Sequence, residues 1–135
     1  MTGPTVVRAV SALILLKGVL SVLLGLLHVV ITFAYEAAKI EGQGTAEMQR
    51  DYLVWFYGVG LFILFMGLVD VLCYRGLAAG QRWAWRMSFL CAAFTTILGA
   101  SGVAVFGPSP PLLLLVTGLV ALVTLAGSRR ELRES

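Results

Sequence analysis

Three ionisable side chains sit inside apolar runs of this sequence, where few charges are found. His28, the chain's single histidine, lies in LLGLLHVVITFAYE (residues 23–36); Lys17 lies in ALILLKGVL; Asp70 lies in FMGLVDVLCYR. A histidine in hydrocarbon can transfer a proton, hold a polar ligand or stay neutral and hydrogen-bonded to the protein. The residues that could work beside it are Thr32, one helical turn on, and Tyr35 and Glu36, two turns on. Together these four form a candidate site for a hydrophobic ligand with a polar end. Lys17 and Asp70 suggest something different. Lys17 precedes Tyr35 by eighteen residues and Asp70 follows Tyr52 by eighteen, so on two helices of opposite direction they lie at one depth. At equal depth they form a candidate structural ion pair, which lowers the cost of placing either charge in lipid. Local pairing of Asp70 with Tyr74 or Arg75, and snorkelling of Lys17 to the head groups, is the competing expectation.

The elements that must hold these groups follow from composition. Hydrophobic residues make up 59% of the 135 and charged residues 13%, with a mean hydropathy of +0.94; soluble domains hold about 45–50% apolar residues. The expectation is an all-α membrane protein with one domain over 1–135. Its spans lie at about 12–35, 53–72, 87–106 and 111–126, the last the shortest. Between the first two, Gly42-Gln43-Gly44 breaks a helix that reaches about Ile40, and Thr45 is placed to cap the next. Between the last two, FGPSPP ends one helix and Pro111 opens the other. Arg8 before SALILL resembles the opening of a secretory signal. Lys17 interrupts that run without a small-x-small cleavage site close by, so the first span is expected to be retained.

Charge sets the expected sidedness. Arg8 and Lys17, then Arg75, Arg82 and Arg86, then Arg129, Arg130 and Arg133 flank the ends that should face the cytoplasm. The first loop sets Glu36, Glu41, Glu47 and Asp51 against Lys39 and Arg50, and FGPSPP is uncharged. The reading is an antiparallel up-down-up-down four-transmembrane-helix bundle with both termini cytoplasmic. Each span carries a small or polar seam: Ser11, Gly18, Gly25 and Thr32 with Ser21, His28 and Tyr35; Gly60, Gly67 and Tyr74 with Asp70; Ser88, Cys91, Thr95, Gly99 and Gly102; Thr117, Ala121, Thr124 and Ser128. Helices in lipid associate through such seams.

The hairpin RGLAAGQRWAWR adds Trp83 and Trp85 to Arg75, Arg82 and Arg86, with Gly76 and Gly80 to allow the reversal. That composition suits the interface and anionic lipid head groups. Tyr52, Trp55 and Tyr57 supply an aromatic belt at the opposite boundary. GQRWAWR, together with LLKGVLSVLLGL in the first span, resembles segments of small DoxX-like four-helix proteins of the bacterial inner membrane. The resemblance implies that location and a helical bundle, and it transfers no catalytic residue.

Several four-span activities need residues this chain lacks. Cys73 and Cys91 are separate rather than in a C-x-x-C pair, so a vitamin K epoxide reductase mechanism is excluded. One histidine cannot supply bis-His haem ligation, and the first span has Lys17 and His28 where small multidrug transporters depend on a carboxylate. Tetraspanin and claudin readings lack their loop cysteines. Neither phosphate loop, metal cluster nor nucleophile triad is present, no cofactor is expected, and the basic residues do not form a nucleic-acid-binding tract. Two readings of function remain. One is a structural or assembly protein, a homo-oligomer or a partner of other membrane proteins. The other is a bundle that binds a lipid, quinone or sterol-like ligand, or an isomerase-type enzyme, through His28 and Glu36.

Overall fold

A computed structural model describes residues 3–108 and 111–129, apart from the side chains at 3, 4, 35 and 37. Helix dominates, and there is no strand among the described residues. Helix α1 (Gly3–Ile31) runs through a π-helical turn (Thr32–Glu36) into the short α2 (Ala37–Ile40). Helices α3 (Ala46–Ala78), α4 (Arg82–Phe106) and α5 (Pro111–Gly127) follow. Three stretches are long and apolar enough to cross a membrane, Thr5–Ile40, Ala46–Ala78 and Arg82–Phe106, their most apolar 18-residue windows having mean hydropathies of 2.4, 2.2 and 2.0. This is consistent with an integral membrane protein. Helix α5 is apolar throughout but has 17 residues, about 25 Å of helix against a hydrocarbon layer of roughly 30 Å.

The helices extend past the apolar runs because local chemistry continues them. Thr45 Oγ1 accepts from Met48 N at 3.3 Å and caps α3, which starts six residues before Tyr52. The turns occur where backbone freedom permits: Gly42, Gly44, Gly80 and Gly107 all have positive φ, between 69° and 85°. Gly76, unlike Gly80, does not serve the reversal. It lies inside α3, and a Cβ there would stand 2.7 Å from that of Ala84, so its role is to let α3 and α4 close together.

Packing is organised by the small-residue seams. Helix α1 lies along α3, where Gly18 meets the carbonyl of Gly67 and Cβ of Asp70, Gly25 meets the backbone of Leu64, and Gly60 meets Val29 and His28. Helix α4 lies along α5 in the same way, through Gly99 against Leu115, Gly102 against Pro111 and Gly118 against Thr96. The two pairs join along α3–α4 and, less extensively, along α1–α5. All four long helices meet in one apolar cluster: Val7, Val10 and Ile14 from α1, Cys73 and Leu77 from α3, Ala84 and Ala92 from α4, Ala121 and Leu125 from α5. Large apolar side chains elsewhere face outward, among them Leu27, Phe65, Leu72, Ile97 and Val123. A surface of that kind is soluble in lipid rather than water.

Candidate functional site

His28 stands at the α1–α3 contact, half-buried, with Nε2 3.1 Å from the backbone carbonyl of Phe56. A carbonyl only accepts, so Nε2 donates, and in the neutral ring Nδ1 is left as the acceptor. The imidazole also stacks on the Phe56 ring at 4.6 Å between centroids, and Phe56 stacks in turn on Tyr52 at 5.3 Å. One end of this column reaches the acidic loop, where Tyr52 OH donates to Glu36 Oε2 at 3.1 Å and Lys39 Nζ to Glu36 Oε1 at 3.2 Å.

The candidate ligand residues whose side chains are described, His28, Thr32 and Glu36, do not converge on one pocket. Thr32 is buried and its hydroxyl is spent on the carbonyl of His28, at 2.7 Å. Glu36 lines an open cleft of about 510 Å³ between α2 and the start of α3, shared with Lys39, Gln43, Met48 and Tyr52, and neither His28 nor Thr32 lines it. The Tyr35 side chain lies outside the described residues. The reason for the divergence is local. A π-helical turn inserts one residue relative to α-helical spacing, so the face that carries His28 and Thr32 is not continued by Glu36. What this region offers chemically is one acceptor nitrogen at the helix contact and, separately, a carboxylate already holding two donors.

The second constellation is compact. Lys17 Nζ donates to Asp70 Oδ2 across the α1–α3 contact, and both side chains are shielded, at 2% and 0% exposure. The glycine seam allows this, because Gly18 brings the α1 backbone against Cβ of Asp70 at the next residue. Lys17 does not snorkel to the head groups, and Asp70 pairs with neither Tyr74 nor Arg75 in this structure. Cys73 on α3 and Cys91 on α4 are both buried and free.

At the α3–α4 hairpin, Arg75, Arg82 and Arg86 are exposed, and Trp83 is 54% exposed with its indole N–H on Gln81 Oε1 at 2.6 Å. Trp85 turns the other way. It stacks on Phe89 at 5.1 Å, donates from Nε1 to the carbonyl of Leu125 at 3.0 Å and lies beneath the guanidinium of Arg129 at 5.6 Å. Its position ties α4 to the end of α5, leaving Trp83 as the tryptophan available to an interface. Arg130 and Arg133 lie outside the described residues. Trp85→Phe keeps the stacking and removes one hydrogen bond, and the carbonyl it leaves still accepts from Ser128 Oγ at 3.2 Å. The expected loss is about 0.5–1.5 kcal/mol, read by SDS titration of the protein in mixed micelles.

Residues beyond the sequence-based candidates matter here. Phe56 provides both the stacking face and the carbonyl for His28; its signal was the Tyr52–Phe56 spacing of four. Arg129, which the sequence offers only as a flanking charge, is brought over Trp85 by the packing. No family model matches this chain, and comparisons with curated proteins and with solved structures gave no match.

Proposed function

We propose that this chain is a small polytopic protein of the bacterial inner membrane, running up-down-up-down with both termini cytoplasmic, that serves as a structural or assembly component. It acts by homo-oligomerisation or by contact with other membrane proteins. The observation that supports this best is where its polar groups are spent. The hydroxyls of Thr32, Thr95, Thr96, Thr117 and Thr124 donate to carbonyls one turn earlier in their own helices, His28 bonds Phe56, and Lys17 bonds Asp70. The threonine hydroxyls are thus satisfied within their own helices, the His28 and Lys17 contacts join α1 to α3, and apolar surface is left outside for lipid or a protein neighbour. The exposed Arg75, Arg82 and Arg86 beside Trp83 favour anionic head groups on the cytoplasmic side. The opposite loop is acidic, which fits an external position.

A second reading rests on the aromatic column. It links Nδ1 of His28, through Phe56 and Tyr52, to the cleft at Glu36, which would suit a lipid, quinone or sterol-like molecule and isomerase-type acid–base work. Native mass spectrometry of the purified protein from nanodiscs separates the two. A defined oligomer without bound small molecule is the expected result. A retained hydrophobic ligand that disappears in His28→Ala would replace the first reading with the second. A reporter fused to the C-terminus should be active only in its cytoplasmic form, and periplasmic activity would overturn the orientation.

A further inference from the structure

The glycines of α3 are not all used in the same way. Gly60 and Gly67 face α1, where an added Cβ would stand 2.9 Å from Val29 and 2.6 Å from the backbone of Val22. Gly58 is two residues from Gly60, so it lies on the opposite side of the helix, and nothing stands within 4 Å of a Cβ there. It lines a groove of about 310 Å³ between α3 and α4, together with Val54, Trp55, Val59 and Phe62 of α3 and Leu98 of α4. The lining is apolar except for the indole N–H of Trp55.

The depth of this groove in a bilayer follows from α4. From the exposed Arg86 to Phe106 is twenty residues, about 30 Å of helix, which matches the hydrocarbon thickness. Phe106 therefore marks the boundary opposite the arginine hairpin, and Phe56 packs edge-on against it at 6.1 Å. Trp55 adjoins Phe56 at that boundary, where indoles concentrate. At the other end of the groove Phe62 packs edge-on against Phe94, which is twelve residues from Phe106 and eight from Arg86, near the midplane. From Val54 to Phe62 the groove runs about 12 Å, most of the roughly 15 Å that one leaflet contributes.

Width decides what can lie in it. Spread over that length, the volume leaves a cross-section of roughly 26 Å². A helix with its side chains is about 10 Å across, or about 80 Å², and is too wide; a single hydrocarbon chain is not. The rim supplies a polar contact. The indole N–H groups of Trp83 and Trp85 are taken by Gln81 and by the carbonyl of Leu125, whereas that of Trp55, a residue 70% exposed, has no acceptor among the described residues.

We propose that the α3–α4 groove holds one acyl chain of a phospholipid from the leaflet opposite the arginine hairpin, with Trp55 Nε1 donating to an ester or phosphate oxygen of that lipid. The chain lies over Gly58 and fills the space between the α1–α3 and α4–α5 pairs. The groove is open to the bilayer along its length, so the lipid exchanges with its surroundings and is not retained once the protein leaves the nanodisc. The site is separate from His28 and Glu36, and the inference rests on neither functional reading.

Photo-crosslinking of the full chain tests it, in phosphatidylcholine nanodiscs with a small fraction of phosphatidylcholine carrying a diazirine in mid-chain. On illumination the diazirine loses nitrogen and the carbene inserts into the nearest C–H bond, so peptide mass spectrometry reports which residues the chain touches. Gly58, Val59 and Leu98 should be labelled several-fold more than Leu27 of α1 and Val116 of α5, which are exposed to the same leaflet. Gly58→Leu fills the groove and should remove the excess; if it does not fold, Leu98→Phe narrows the groove from α4 and should do the same. Trp55→Phe keeps the ring, loses the donor and should lower the excess. Equal labelling of groove and control residues overturns the proposal, as does an excess that survives filling of the groove. Protection of the groove, with crosslinks between copies across it, also overturns it, because a second copy would then be the occupant. An excess unchanged in Trp55→Phe overturns the head-group contact.

Discussion

Asp70→Leu alone should destabilise the protein by about 3–5 kcal/mol, and Lys17→Met alone by a similar amount, because each leaves a buried charge without its partner. The double variant Lys17→Met with Asp70→Leu should recover that loss and match or exceed wild-type stability, by up to about 4 kcal/mol, since apolar residues of similar size replace a buried pair without its desolvation cost. The basis is that the pair is sealed: Lys17 and Asp70 lie between α1 and α3 with almost no exposure. SDS titration in mixed micelles gives the stabilities, and membrane yield gives a second readout. Exchange of the charges, Lys17→Asp with Asp70→Lys, should restore the yield that either single reversal loses. If both double variants remain as damaged as the singles, the contact is not what stabilises this part of the bundle. If the apolar double is stable but fails in the cell, the pair carries a function beyond structure.

The sequence was informative about this pair for a specific reason. Counting from Tyr35 and Tyr52 gives depth along a helix, and depth is nearly independent of how helices rotate. The two side chains meet in the structure. The seams were legible for a different reason, because small residues recur at helical spacing on one face, and Ser11, Gly18, Gly25, Gly67, Ser88 and Gly99 are all buried. Helix ends were less so. Charges delimit an apolar run, whereas α1 and α3 continue through polar residues as far as a cap or a glycine permits, so α3 begins at Ala46 rather than near Leu53. The face beyond Thr32 was not legible at all. A heptad extrapolation assumes one residue per 100°, and the π-helical turn from Thr32 to Glu36 breaks that register. The direction of Trp85 was hidden for another reason. An indole beside arginines suits an interface, but this one found a carbonyl on α5, a contact forty residues away in sequence.

Glycine substitutions at two positions of α3 should change stability in opposite directions. At Gly67 a Cβ would stand 2.6 Å from the backbone nitrogen of Val22 and 2.7 Å from the carbonyl oxygen of Gly18. Neither atom can move without displacing α1. Gly67→Ala should therefore cost about 1–3 kcal/mol, the range for overpacking in a close-packed interior, and Gly67→Leu should cost more because it forces the α1–α3 contact apart. At Gly58 nothing lies within 4 Å of the same added atom. Gly58→Ala should stabilise α3 by about 0.5–1 kcal/mol through helix propensity alone. Both variants share the chemical change and the helix, so the difference isolates the packing. Separation of α1 from α3 also carries the two polar contacts with it: Lys17 is drawn from Asp70, and His28 from the carbonyl of Phe56. Gly67→Leu should then behave as a packing and an ion-pair variant at once. Its cost should fall when Lys17→Met and Asp70→Leu are already present, by the part of the loss that comes from the broken pair. A cost for Gly67→Leu that is unchanged in that background would show that the glycine contact and the ion pair stabilise the bundle independently.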